Sequence, residues 1–271
     1  MIDAGESRRF ASARAAVLGS IAVACEHAGR DPSDVRLVAV TKTVPADRVR
    51  AAVATGHTLF GENRVQELTA KAAEVSGATW HLIGPLQSNK ARRAVESAAV
   101  IETVDSTALA ERLDRIVRDV LGVEPKGDID DDRRLTVLLQ VNVDVDPAKA
   151  GFLPDDLIAA LPRIAELGAL RLGGLMTIGR LSLTAEDARL TFRTLRQLSA
   201  RLRADDPRLG PELSMGMTDD YPVAVEEGAT IVRVGRALFG ERPEHHHVEH
   251  HDGDGGHGAR DPHSGDEHNH T

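Results

Sequence analysis

The stretch Val35-Arg36-Leu37-Val38-Ala39-Val40-Thr41 decides the fold. It is short, largely apolar on both faces and rich in β-branched residues, with no helical period. A strand of that composition is buried on both faces, as in a parallel sheet covered by helices. Residues 45–55 follow with a 3.6-residue apolar period and a proline in the first turn, where a helix tolerates one. The same unit then repeats. Strands are expected at 58–61, 80–84, 100–104, 135–143, 170–178, 212–217 and 230–234. Helices are expected at 64–75, 88–97, 107–121, 154–167, 185–203, 220–227 and 236–239. Eight βα units with none left over predict an α/β protein with a single closed (β/α)8 TIM barrel. A doubly wound open sheet is the alternative. It normally carries a Gly-rich dinucleotide turn, and no G-x-G-x-x-G follows a strand and no G-x-x-x-x-G-K-[ST] occurs.

Three segments stand outside the alternation. An extra N-terminal helix is expected, because Phe10, Val17, Leu18, Ile21 and Cys25 fall at the spacing of a face packed on a core. Ser7-Arg8-Arg9-Phe10 mimics a twin-arginine export signal, but Arg14 interrupts the apolar stretch behind it. Residues 122–134 (GVEPKGDIDDDRR) are charge-dense and read as a solvated loop. Beyond Glu244 the chain is His, Asp, Glu and Gly, with Val248 the one residue suited to a core. Such a composition cannot bury enough surface to fold, so 1–243 reads as the barrel domain and 244–271 as a disordered tail.

Composition narrows the function classes. The 271 residues carry a net charge of −9, which lacks the basic footprint of a general nucleic-acid binder. The single cysteine, Cys25, asks for no oxidising compartment, and no apolar run approaches membrane length. The expectation is a cytoplasmic protein that binds neither nucleic acid nor membrane.

In a parallel barrel the functional face is the C-terminal end of the strands. Polar and soft residues there are Lys42, Glu62, Asn63, Gln87, Ser88, Asn89, Asn142, Met176, Thr177, Ser214 to Thr218, and Arg233 to Arg236. Lys42 is the most informative. A lysine at a buried strand end loses hydration, which favours the neutral amine that attacks an aldehyde. The other reading is a rim lysine that snorkels to solvent. Ser214-Met215-Gly216-Met217-Thr218 and Arg233-Val234-Gly235-Arg236 put small residues at the ends of the last two strands, a recurrent phosphate position in barrels. The same glycines could equally serve tight βα turns. An amine facing a phosphate site across one mouth suggests an aldehyde phosphate: pyridoxal phosphate (PLP) or a sugar phosphate.

Six strings carry a resemblance: AVTKTVP (Ala39 to Pro45), FGENRVQE (Phe60 to Glu67), WHLIGPLQSNK (Trp80 to Lys90), GLMTI (Gly174 to Ile178), LSMGMTDD (Leu213 to Asp220) and TIVRVGRALFG (Thr230 to Gly240). In this order and spacing the chain resembles the pyridoxal phosphate homeostasis proteins, also called alanine-racemase N-terminal-like proteins, from about residue 10 to 242. The resemblance implies a fold-type III barrel that holds PLP as an internal aldimine on Lys42. It implies that Asn63 lies beside the ring and that Arg233 faces the pyridine nitrogen. It places Ser214, Gly235 and the backbone at Arg236 around the phosphate, with Met176 and Met215 in the matching strings nearby. Position 236 is often a small hydroxyl residue in such proteins, which leaves the Arg236 side chain without a role. An arginine has no acceptor and stays protonated, so it discourages protonation of the ring nitrogen and weakens the ring as an electron sink.

The resemblance therefore implies a monomeric carrier or buffer of PLP without robust catalysis, with apo PLP enzymes as candidate partners. An alanine-racemase type of amino-acid racemase is the alternative. It needs a second proton-transfer residue, in those enzymes a tyrosine from a partner's β-domain. No strand-like segment follows Gly240, and the one tyrosine, Tyr221, lies just after the seventh strand. A sugar-phosphate lyase or aldolase ignores the six strings. Lys149, in a loop after the fifth strand, is a candidate transient acceptor of PLP or a plain solvated lysine. The tail histidines, His245 to His270 among carboxylates, suggest weak divalent-metal binding confined to the tail. No metal site is expected in the barrel.

Overall fold

The computed structural model describes residues 3–123, 133–179 and 184–240. Its strands are β1 (Arg36–Val40), β2 (Leu59–Glu62), β3 (Thr79–Leu82), β4 (Val100–Val104), β5 (Leu135–Gln140), β6 (Leu170–Met176), β7 (Glu212–Ser214) and β8 (Ile231–Val234). They pair in parallel in sequence order, and β8 closes on β1. The chain is the (β/α)8 barrel that the alternation predicts.

Helix α1 (Ala4–His27) precedes the barrel. Asp3 caps it by accepting from the Gly5 and Glu6 N–H groups, which otherwise lack partners at a helix start. It buries Phe10, Val17, Ile21, Ala24 and Cys25. Leu18, expected inward, is 37% exposed, because it sits on the flank of the stripe from Val17 to Ile21. The outer layer is α2 (Ala46–Val53), α3 (Val65–Glu74), α4 (Ala91–Ser97), α5 (Thr107–Leu121), α6 (Pro154–Ala165), α7 (Arg189–Asp205), α8 (Tyr221–Glu226) and α9 (Arg236–Phe239). None of the described helices is long and apolar enough to cross a membrane.

Four strands stop two or more residues short of their expected ends, among them β3, which ends at Leu82. β5 ends at Gln140; Val141 still donates to the Met176 carbonyl of β6 at 2.8 Å and bridges Phe152 on its other side. β6 ends at Met176. β7 ends at Ser214, two residues before Gly216 turns the backbone at φ 91°. Residues 88–90 and 185–188 are single 3-10 turns that lead into α4 and α7 rather than parts of those helices. The expectations for the tail at 244–271 and for most of the loop at 122–134 lie outside the described residues.

Strand alternation splits the core in two. Outward residues such as Leu37, Phe60, Leu82, Ile101, Leu139 and Val232 join one large apolar cluster beneath the helices. Inward apolar residues are few: Val38, Leu138, Met176 and Ile231 form a small cluster in the lumen. Leu59 and Val100 pack against that cluster, and the site is built from the polar residues that share the lumen.

Candidate functional site

Lys42 is placed by the parity of β1. Leu37 and Ala39 belong to the outer core, and Val38 to the lumen cluster. One residue past the strand, Thr41 points outward, where its hydroxyl donates to Glu62 Oε1 at 2.6 Å. Continued alternation assigns Lys42 to the lumen side, and the residue is half-buried in the turn that follows β1. Both neighbours are held from α3. Lys71 Nζ donates to the Thr41 carbonyl at 2.7 Å and to Glu62 Oε1 at 2.5 Å. The Thr43 N–H donates to Glu67 Oε2 at 3.1 Å. Thr43 has φ 65°, a left-handed conformation that a β-branched residue adopts only when its surroundings impose it. Burial pushes the Glu62 carboxyl up, against hydrogen bonds from Lys71 and Thr41 that favour its charge.

Arg233 is the second element. β8 lies beside β1 with Val38 opposite Arg233, so Lys42 stands four residues nearer the mouth on the adjoining strand. The Arg233 side chain is almost fully buried in the lumen. Its Nη1 donates to Ser214 Oγ at 2.6 Å, and its Nη2 to the Thr177 carbonyl at 2.8 Å. Burial draws the guanidinium below its usual range, while Glu102 and Asp220 act to keep it charged. Ser214 in turn donates to Glu102 Oε2 at 2.5 Å. Glu102, with no exposure, bonds His81 Nδ1 at 2.6 Å through its other oxygen. Burial disfavours the Glu102 carboxylate, but His81, Arg233 and Ser214 outweigh that and hold it below the usual carboxylate value.

The remaining expected residues divide between the two interiors. Met176 is in the lumen. The Met215 side chain packs in the outer core, so only its backbone faces the mouth. Asn63 is half-buried at the end of β2, where β3 approaches closely: a Cβ on Gly84 would lie 2.2 Å from the Asn63 carbonyl oxygen. Asn63 also lines a hollow of about 690 Å³ with Glu67, Gln87 and Lys90. The Gly235 N–H reaches Thr218 Oγ1 at 3.4 Å, just before α9. The Arg236 guanidinium is half-exposed and pairs with Asp219, so the side chain turns outward. Thr177 donates to the Val141 carbonyl, and Asn142 organises the loop that follows by bonding the carbonyls of Asp146 and Lys149. Lys149 Nζ is held by Asp144 at 2.9 Å and by the carbonyls of Ile178 and Gly179, each at 3.3 Å. Among the described residues no three His, Cys, Asp or Glu side chains are grouped to hold a metal.

Sequence reasoning missed Glu102 and His81. Neither lies at a strand's C-terminal end. Their signal was an ionisable residue at the centre of an otherwise apolar run, as in V-I-E-T-V, where burial demands a partner.

Residues 15–243 match the family described as alanine racemase, N-terminal domain. The pyridoxal phosphate homeostasis protein of Pseudomonas aeruginosa is 42% identical over 84% of this chain and 94% of its own length. That of Synechocystis is 41% identical over 78% of this chain and 93% of its own. The chain belongs to the pyridoxal phosphate homeostasis protein family. A similar solved structure is that of PipY of Synechococcus elongatus with PLP bound. It is 44% identical, with a TM-score of 0.71, over 87% of this chain and all of its own. An alanine racemase of Clostridium difficile shares the fold at 14% identity and a TM-score of 0.62, and this chain covers 56% of it. The family match thus covers the whole barrel, whereas the likeness to the racemases is one of architecture.

Proposed function

We propose that this chain binds PLP at the C-terminal mouth of the barrel and serves PLP homeostasis as a carrier or buffer. The observation that carries this is the pairing on adjoining strands of a lumen-facing amine, Lys42, with a buried, fully oriented guanidinium, Arg233. The donor set fits the cofactor. Lys42 offers a primary amine on a backbone pinned on both sides by α3. Arg233 offers a fixed cation deeper in the lumen. Gly216 lets the chain pack tightly on α8, where a Cβ would meet Ala224 at 2.6 Å, and the backbone N–H groups of 235 and 236 are the donors offered to an anionic group at the rim. When bound, PLP supplies an aldehyde for an amine and an electron-withdrawing ring.

Each residue then has a task. Lys42 takes the aldehyde carbon. Asn63 flanks the ring, held in place by the close approach of Gly84. Arg233 donates toward the ring nitrogen and keeps protons off it, which favours holding the cofactor over carbanion chemistry. The Ser214 hydroxyl is already shared between Arg233 and Glu102, so the phosphate is left to backbone N–H groups near Gly235 and Arg236. A racemase reading is disfavoured by Tyr221, which is buried in the outer core rather than in the lumen. In this reading the protein is a cytoplasmic monomer, its acceptors are apo PLP enzymes, and residues 244–271 form a separate tail that binds divalent metals weakly.

An absorbance spectrum of the purified protein loaded with PLP tests the reading. A visible band removed by borohydride, and absent from Lys42→Ala, is expected. No band in the wild type, or an unchanged band in Lys42→Ala, overturns it. Racemisation of alanine at enzyme-like rates by the same sample would replace the carrier with an enzyme.

A further inference from the structure

We propose that Glu102, with His81 behind it, is a positioning residue that fixes Arg233 beneath the cofactor ring. The inference rests on the reading of Arg233 given above.

A guanidinium inside a barrel has lost its water and needs acceptors and a counter-charge. The backbone supplies one acceptor, the Thr177 carbonyl. Asp220 adds a second, weaker charge, and the remaining hydrogen-bond contacts lead to Glu102. A serine hydroxyl has one proton to donate. At Ser214 that proton goes to Glu102 Oε2, so the oxygen's lone pairs turn to Arg233 Nη1. Glu102 thus sets the polarity of the hydroxyl that holds the arginine. It is also the countercharge, 3.8 Å from Nη1. His81 occupies the second carboxylate oxygen, so Glu102 cannot rotate away from Ser214 without breaking that bond. His81 itself lines a cavity of about 390 Å³ at the opposite, N-terminal end of the barrel, with Arg36, Arg171, Arg208 and Glu212. The chain His81–Glu102–Ser214–Arg233 therefore crosses the lumen from that cavity to the cofactor end. Three of its members have at most 1% exposure, and Arg233 has 3%.

The consequence is specific. With Glu102 neutral, Arg233 keeps its charge but loses its counter-charge and the hydroxyl orientation that aims it. Cofactor affinity should fall and the visible band should shift, since both depend on what faces the ring nitrogen.

The test is a PLP titration of the apo protein, read by absorbance, in a double-mutant cycle. Glu102→Gln is expected to weaken half-saturation by at least about tenfold, as for other buried charge pairs deprived of one partner. His81→Gln, which only frees the carboxylate, is expected to weaken it by less and to move the band in the same direction. On an Arg233→Gln background, Glu102→Gln is expected to cost nothing further. An equal cost in both backgrounds overturns the proposal, because Glu102 would then act on something other than Arg233. Should Glu102→Gln alone fail to fold, the double variant removes both charges together and His81→Gln decides. An unchanged band and affinity in His81→Gln then overturns the proposal. If the wild type itself shows no band, it is the PLP reading that fails.

Discussion

The wall of this barrel separates two interiors of opposite chemistry, often at consecutive residues. In β4, Ile101 turns out into the apolar layer under the helices, and Glu102 turns in to His81 and Ser214. In β8, Val232 and Val234 turn out, and Arg233 between them turns in. The outer layer is held by area and shape, which are non-directional and add up residue by residue. The lumen is held by polar groups that must satisfy one another completely. The comparison teaches that stability and cofactor chemistry are carried by different faces of the same strands. Phe60→Ala puts that to its strongest test. Phe60 is fully buried in the outer layer, with ring centroids 5.5 Å from Trp80 and 5.1 Å from His57. Truncation is expected to cost about 3–5 kcal/mol in denaturant unfolding. Half-saturation by PLP, measured where the variant is folded, should stay within about twofold, since the sites are separate. Affinity that fell in step with stability would break the division.

Two histidines sharpen it. His81 in the lumen is bound to a carboxylate. His57 in the outer layer sits between Phe10 and Phe60 with Nε2 2.8 Å from the Leu59 carbonyl. Burial pulls His57 down to about 4, against the Leu59 hydrogen bond and with some help from the Arg14 charge. The unfolded chain, near 6.5, binds that proton more readily, so folding favours the neutral ring. The resulting stability is fully present above about pH 6.5 and is lost as pH falls towards about 4. A shift of that size corresponds to about 3 kcal/mol. In His57→Phe the fall in unfolding free energy across that window should be shallower than in the wild type. Identical slopes would show that His57 is solvated or charged in the folded protein.

How far the sequence carried the reading follows from the same division. The outer layer announces itself, because strand and helix periods alternate eight times and outward residues are mostly apolar, the Thr41–Glu62–Lys71 cluster and His57 aside. Lys42 and Arg233 were visible as polar residues that close apolar strands. Strand ends were misjudged where regular pairing lapses while the chain stays apolar, as at Val141, which keeps a bond to Met176 but bridges Phe152 on its other side. The lumen network was not visible. Periodicity fixes which face Glu102 takes, but its partners come from β3, β7 and β8, the farthest of them Arg233, far along the chain. Only closure of the barrel brings them together. The outward packing of the Met215 side chain follows the alternation of β7, with Leu213 out, Ser214 in and Met215 out again, so strand parity itself carried that placement.

The smallest expected effect lies at the rim, where the wall ends and neither interior is closed. Arg236 opens α9 with an exposed side chain paired to Asp219. Such surface pairs contribute about 0–1 kcal/mol, so Arg236→Thr should move stability by less than about 1 kcal/mol. If the phosphate is held by backbone N–H groups, the substitution leaves those donors in place and PLP affinity changes by less than about threefold, the scale of one weak polar contact. A threonine hydroxyl that reached the phosphate would instead tighten binding, and the gain would persist at high salt because it is not a long-range charge effect. Loss of affinity that disappears in high salt would have the opposite meaning. It would show that the guanidinium leaves Asp219 when PLP binds, and that the rim contributes charge to a site otherwise built inside the barrel.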